Sequence, residues 1–113
     1  QFYAGRAAVT SNQVGRGKVY YIGCDLDGPA VLRLLGYISR QAGAEPALKH
    51  PSPGVEAVPK KSADGSDYLV LLNHNDHDVT VSVERAYRDL LGEKEGSGEF
   101  LLKPYGAAVL QYH

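Results

Sequence analysis

Three prolines fall between Glu45 and Gly54, at Pro46, Pro51 and Pro53, and no other segment constrains the chain as strongly. Proline fixes φ and donates no backbone hydrogen bond, so it ends helices and is excluded from the middle of a sheet. Residues 46–53 therefore read as a semi-rigid linker, with a domain boundary at it. A chain of 113 residues divided there has room for one small domain and a piece of another.

The two sides of this linker carry different periodicities. Before it, Ala7 to Gln13 and Lys18 to Gly23 are short β-type runs joined by Val14-Gly15-Arg16-Gly17. Two glycines so placed allow positive φ, which predicts a hairpin. Val19, Tyr20, Tyr21 and Ile22 are almost continuously apolar, the pattern of a strand covered on both faces. A helix follows: Asp25 or Asp27 is placed to cap it, Pro29 suits its first turn, and Gly43 stands where a left-handed cap closes it. Val31, Leu34, Leu35, Ile38 and Ala42 share one face, expected to pack on the hairpin. Arg33, Tyr37, Arg40 and Gln41 fall on the other.

Beyond the linker, residues 54–113 read as all-β. Val55 to Val58, Tyr68 to Asn73, the alternating Val79 to Val83, Glu99 to Leu102 and Ala107 to Tyr112 are strand runs, and Ala86 to Leu91 is a weaker one. Turn signals lie between them at Ala63 to Ser66, Asn73 to Asp78, Glu95 to Gly98 and Lys103 to Gly106. Short strands at this spacing predict a small antiparallel β-sandwich. Its expected core is Leu69, Leu71, Val79, Val81, Val83, Phe100, Leu102, Val109 and Leu110. A domain of this size buries only about 60% of its unfolded surface, so a neighbouring domain would help it.

Composition removes several function classes. A net charge of -1 leaves no electrostatic footprint for nucleic acid or an acidic membrane surface. No apolar run approaches the roughly 20 residues of a membrane-spanning helix. Gln1 to Ala4 lack the pattern of a signal peptide. The lone Cys24 forms no internal disulfide and fits a reducing, cytoplasmic setting. With no methionine anywhere, the chain reads as a fragment of a longer protein.

Four clusters invite a chemical reading. His74, Asp76, His77 and Asp78 are competent metal ligands, but Asn73 to Asp78 reads better as a polar turn closing a buried strand. Cys24 stands between a strand and a helix, where a nucleophile can sit, yet no glycine follows it as a sharp elbow favours. Gly15-Arg16-Gly17-Lys18 precedes a strand rather than opening a helix, unlike a phosphate loop. The chain has eight tyrosines. Tyr20, Tyr21, Tyr68 and Tyr112 fit strand packing, and as an exposed coplanar set they would instead make a carbohydrate-binding module. No catalytic, cofactor-binding or metal-binding residue is assigned.

Two stretches carry a resemblance. Ala7-Ala8-Val9-Thr10-Ser11-Asn12 with Gly15-Arg16-Gly17-Lys18-Val19-Tyr20-Tyr21-Ile22-Gly23 is one. The other is Tyr68-Leu69-Val70-Leu71-Leu72-Asn73-His74, with Asp89-Leu90-Leu91 and Leu102-Lys103-Pro104-Tyr105-Gly106. In order and spacing they resemble the C-terminal region of the glycoside hydrolase family 42 β-galactosidases. The resemblance implies that residues 1–45 end a flavodoxin-like α/β domain of trimerisation type and that residues 54–113 are the small C-terminal β domain. The fold class is then mainly β, a sandwich preceded by a hairpin–helix remnant. It further implies a parent enzyme whose catalytic (β/α)₈ barrel lies elsewhere, so the expected partners are the rest of that enzyme and further copies of the chain. A retaining glycosidase needs two carboxylates roughly 5 Å apart. No residue here matches either one. The role expected of this chain is structural, with the open hairpin edge pairing between copies.

Overall fold

The computed structural model describes residues 5–113. They form two compact units, divided between Glu45 and Pro46. The first contains β1 (Val9–Val14), β2 (Gly17–Ile22) and α1 (Gly28–Gln41). The second contains β3 (Val55–Lys61), β4 (Asp67–Asn73), β5 (Val79–Asp89), β6 (Lys94–Leu102) and β7 (Ala107–Tyr112).

In the first unit β1 and β2 pair antiparallel from Val9↔Ile22 to Val14↔Gly17. The connection is Gly15-Arg16, with Gly15 at φ 57° and Arg16 outside the positive-φ region. Positive φ at the first central position alone is the type II′ hairpin turn, which matches strand twist. Helix α1 begins at Asp27, whose carboxylate accepts the Ala30 N–H at 2.8 Å, and Pro29 follows in the first turn. Gly43, at φ 67°, lies just past the helix in the left-handed conformation that glycine adopts without steric cost.

The packing of this unit departs from expectation in two places. Leu34 and Ile38 are half-buried, but Val31 and Leu35 stay exposed. Tyr37, expected on the outer side, instead meets Tyr20 edge-on at 6.3 Å between ring centroids. One narrow hairpin does not cover the whole apolar stripe. Strand β2 is not covered on both faces either. Tyr20 is half-buried, whereas Val19, Tyr21 and Ile22 are exposed.

The second unit is a five-stranded antiparallel sheet in the order β3-β4-β7-β5-β6. Its long strand β5 has two halves. Val79 to Val83 pairs only with β6, the register shifts between Val83 and Tyr87, and Tyr87 to Asp89 then pairs with both β6 and β7. Such a bulge bends a strand and increases its twist. The β5–β6 arm therefore turns over the β3-β4-β7 arm, and the two layers of the expected sandwich are the two arms of one sheet. Leu69, Leu71 and Leu110 on one arm share a buried cluster with Val81, Val83 and Leu102 on the other.

The glycine-rich Glu95 to Gly98 was expected as a turn and lies inside β6. Gly98, at φ 85°, pairs with Val83 at the edge of the bulge. Gly96 lies under the Tyr87 ring, where a Cβ would stand 2.6 Å from Tyr87 Oη. The true β5–β6 turn is residues 90–93, and Ala86 to Asp89 belongs to β5. Val109 moves to the outer face, paired with Val70, and Ala108 takes its expected inner position. Val79 and Phe100 pack at the margin of the core.

Leu48 is only 6% exposed and joins the core of this unit. The proline-rich segment that reads as a linker thus also contributes a side chain to the sandwich. Ser52 Oγ donates to the Thr80 carbonyl at 3.4 Å, and Lys49 pairs with Glu84 at 2.6 Å.

Candidate functional site

The region richest in potential chemistry is the loop after β4. Strand β4 ends at Asn73, whose side chain is buried. Its amide nitrogen donates to the His77 and Lys103 carbonyls, both at 2.9 Å. Its oxygen accepts from the Asn75 backbone at 3.0 Å and from the Asn75 side chain at 2.9 Å. Asn75 in turn donates to the Pro53 carbonyl at 3.0 Å. Together, Asn73 and Asn75 tie loops 53–54, 73–78 and 103–106 at one end of the sheet. The buried Asn73 amide is satisfied at both ends, as burial requires.

The charged members of the loop are drawn apart. His74 meets Glu56 at 3.2 Å, His77 meets Asp76 at 3.1 Å, and Lys103 meets Asp78 at 2.8 Å. The His77 ring holds the Asp76 carboxyl below its ordinary range. Among the described residues no three of His, Cys, Asp and Glu converge on a point where a metal ion would sit. The arrangement is that of a hydrogen-bonded turn. The sequence signal for it was Asn73 itself, a polar residue ending an apolar strand.

Two further carboxylates are committed as well. Asp67 lies between Lys61 and Arg85, and the Arg85 hydrogen bond followed by the Lys61 charge holds its carboxyl below the usual value. Asp89 is buried, and its Oδ1 accepts the Leu91 N–H at 3.1 Å, closing the β5–β6 turn. It borders a cavity of about 470 Å³ lined in part by Tyr87, Phe100 and Leu101. The sheltered acid of that cavity is thus turned to the backbone.

Cys24 is exposed between β2 and α1. The cavity beside it, about 610 Å³, is lined by Arg6, Ala7, Ala8, Tyr21 and Gly23, none of them a base suited to activating a thiol. Gly15 to Lys18 forms the hairpin turn and the start of β2, not a phosphate cradle. A second cavity of about 530 Å³ opens beside it between Lys18, Tyr20, Ile38 and Gln41. The Tyr20 hydroxyl is buried without a hydrogen-bond partner among the described residues.

Among the described residues the tyrosines make no common platform. Tyr20 and Tyr21 alternate across the hairpin, and Tyr112 packs under the Arg85 guanidinium at 4.3 Å. Tyr87, which sequence reading passed over, is buried against Phe100, and its hydroxyl donates to the Glu99 carbonyl at 2.8 Å. Burial first, and the Asp89 charge second, push its ionisation upward. The carbohydrate-binding alternative gains no support from this arrangement.

With this geometry in place, the likenesses to known proteins are informative. A family model described as "Beta-galactosidase trimerisation domain" matches residues 1–45. One described as "Beta-galactosidase C-terminal domain" matches residues 54–112. The chain is 36% identical over 110 residues to β-galactosidase BgaA of Planococcus sp. (strain 'SOS Orange'), covering 96% of this chain and 16% of that protein. It resembles the crystal structure of a β-galactosidase from Bacillus circulans sp. alkalophilus with a TM-score of 0.88 and 29% identity, over 100% of this chain and 17% of that one. A catalytic mutant of Gan42B, a GH42 β-galactosidase from G. stearothermophilus, matches with a TM-score of 0.83 and 31% identity, over 99% of this chain and 16% of that one. The chain thus spans about 16% of the length of BgaA and of BglY, a relative from Alicyclobacillus acidocaldarius.

Proposed function

We propose, for a chain that belongs to the glycoside hydrolase family 42 β-galactosidases, that its work is to hold an enzyme together rather than to carry out its chemistry. Residues 1–45 complete and help to trimerise a larger α/β domain, and residues 54–113 are the C-terminal domain that follows it, with 46–53 joining the two. The parent hydrolyses terminal β-galactosides on a barrel supplied by another part of the polypeptide, in the cytoplasm.

One observation carries this reading. Helix α1 has no buried residue, and β2 leaves Val19, Tyr21 and Ile22 exposed, although its sequence is that of a doubly covered strand. Covering such surface is worth about 25 cal/mol per Å². The Tyr20 hydroxyl likewise lacks a partner among the described residues. A unit with this much unfinished surface is an element of an assembly. Its hairpin edges suit pairing with neighbouring strands, and closed symmetric association is the common outcome for such surfaces.

Two measurements test the reading. The 113-residue chain is expected to release no product from a chromogenic β-galactoside, while the full-length polypeptide turns it over. Turnover by the short chain would refute the structural role. Sedimentation of the full-length polypeptide is expected to give a trimer that Val19→Asp and Leu35→Asp weaken, and a wild-type monomer would refute the assembly role.

A further inference from the structure

The turn between β6 and β7 holds a side chain that the sandwich does not use. Lys103, Pro104, Tyr105 and Gly106 form a tight turn closed by the Gly106 N–H donating to the Lys103 carbonyl at 2.9 Å. Proline in second place and φ 52° at Tyr105 describe a type II turn. That geometry favours glycine in third place, because any Cβ there crowds a neighbouring carbonyl. Here the glycine comes one place later, where it is also needed: a Cβ on Gly106 would lie 2.9 Å from the Lys103 oxygen. Tyrosine occupies the strained position while 73% exposed, so no packing within the sandwich offsets the strain.

The turn is also firmly mounted. The Asn73 side chain donates to the Lys103 carbonyl at 2.9 Å. The Asn73 N–H donates to the Gly106 carbonyl at 2.9 Å, and the Tyr105 N–H to the Asn75 carbonyl at 3.0 Å. A strained residue in an over-determined setting points to function rather than stability. Exposed aromatics on rigid mounts are common energetic anchors of interfaces.

We infer that Tyr105 is the anchor through which the C-terminal sandwich docks on another domain of its own polypeptide. The inference rests on reading this chain as the end of a larger β-galactosidase. A separate protein is the poorer occupant. Specific complexes between free molecules bury about 1,200–2,000 Å², whereas the exposed residues of the loop beside Tyr105, His74, Asp76, His77 and Asp78, are all polar. A tethered domain meets the turn at an effective concentration near the millimolar range, where one aromatic in a matching pocket suffices. Relatives of which this chain spans 16% have far more polypeptide than this chain to offer.

Two variants separate docking from folding. Tyr105→Gly removes both ring and strain, and Tyr105→Asn removes the ring but keeps a side chain that tolerates the left-handed region. In the 113-residue chain both are expected to raise the urea midpoint, with a folding constant roughly fivefold larger for Tyr105→Gly. In the full-length polypeptide both are expected to speed amide exchange at residues 105 and 106 by about tenfold. A lower midpoint for the short chain would make the ring structural and overturn the inference. Unchanged exchange in the full-length variants would overturn it as well. If the full-length polypeptide carries no further domain, the parent-enzyme reading itself fails, an outcome recognised from its sequence before any exchange is measured.

Discussion

The two units spend similar apolar sequence in opposite ways. The C-terminal sheet hides Leu69, Leu71, Val81, Val83, Leu102 and Leu110 almost completely, because β5 bends and brings one arm over the other. The N-terminal hairpin and helix hold Val19, Tyr21, Ile22, Leu32 and Leu35, yet leave every one of them exposed. Apolar pattern alone therefore does not measure self-sufficiency. A sheet that curls can serve as its own cover, and a two-stranded ribbon with one helix cannot.

The sharpest test of this contrast pairs two leucine truncations. Leu71→Ala, at a position with 0% exposure, is expected to destabilise the C-terminal unit by about 3 kcal/mol. Leu35→Ala in the short chain is expected to change stability by less than about 0.5 kcal/mol. Urea unfolding followed separately in each unit checks both, and comparable losses would erase the distinction. Hydrogen exchange should agree, with strong protection across β4 and β7 and weak protection from residue 18 to 42.

Asn73→Ala comes next in size. It strips hydrogen bonds from two carbonyls and from the Asn75 side chain, and should cost about 2 kcal/mol. A loss within measurement error would mean that the three loops at that end hold together without it. Tyr20→Phe runs the other way in the hairpin unit. It deletes a buried hydroxyl without a partner among the described residues, so the short chain should be unchanged or stabilised by up to about 1 kcal/mol. In the assembled parent the same variant should weaken the trimer if a neighbouring segment supplies the missing acceptor.

The smallest expected effects are those of pH. Hydrogen bonds from Ser62, Arg85 and His77 are the leading causes that lower Asp64, Asp67 and Asp76 below the ordinary carboxylate value of 3.8. Their contribution is present above that value and is lost as pH falls through the folded-state pKa values. Asp64 and Asp76 are exposed and Asp67 is half-buried, so the acid loss should be shallow. Tyr87 and Tyr112 shift upward from 10.0, chiefly by burial. Stability should therefore fall as pH rises past about 10, where the unfolded chain ionises first. The fall belongs to the C-terminal unit. Thermal melts across the alkaline range with Tyr87→Phe as control check it, and the control should flatten the decline.

Much of this was legible in the chain itself. Periodicity identified the hairpin, the helix with Asp25 or Asp27 at its start and Gly43 at its end, and most of the strands, because local chemistry governs caps, turns and alternation. The colinear motifs from Ala7 to Gly106 identified the family. The Asn73 to Asp78 cluster was readable as a turn because asparagine and aspartate bond their own backbone. Other features depended on residues distant in sequence. Gly96 and Gly98 resemble a turn until Tyr87, on another strand, is seen to need the space above Gly96. Whether Ala108 or Val109 faces inward depends on pairing with β4 across more than thirty residues. Leu48 looks like linker until the folded sheet offers it a place. Local sequence thus determined which segments become strands, helix and turns. Only the tertiary structure decided which surfaces those elements bury, because burial depends on what a distant part of the chain brings alongside.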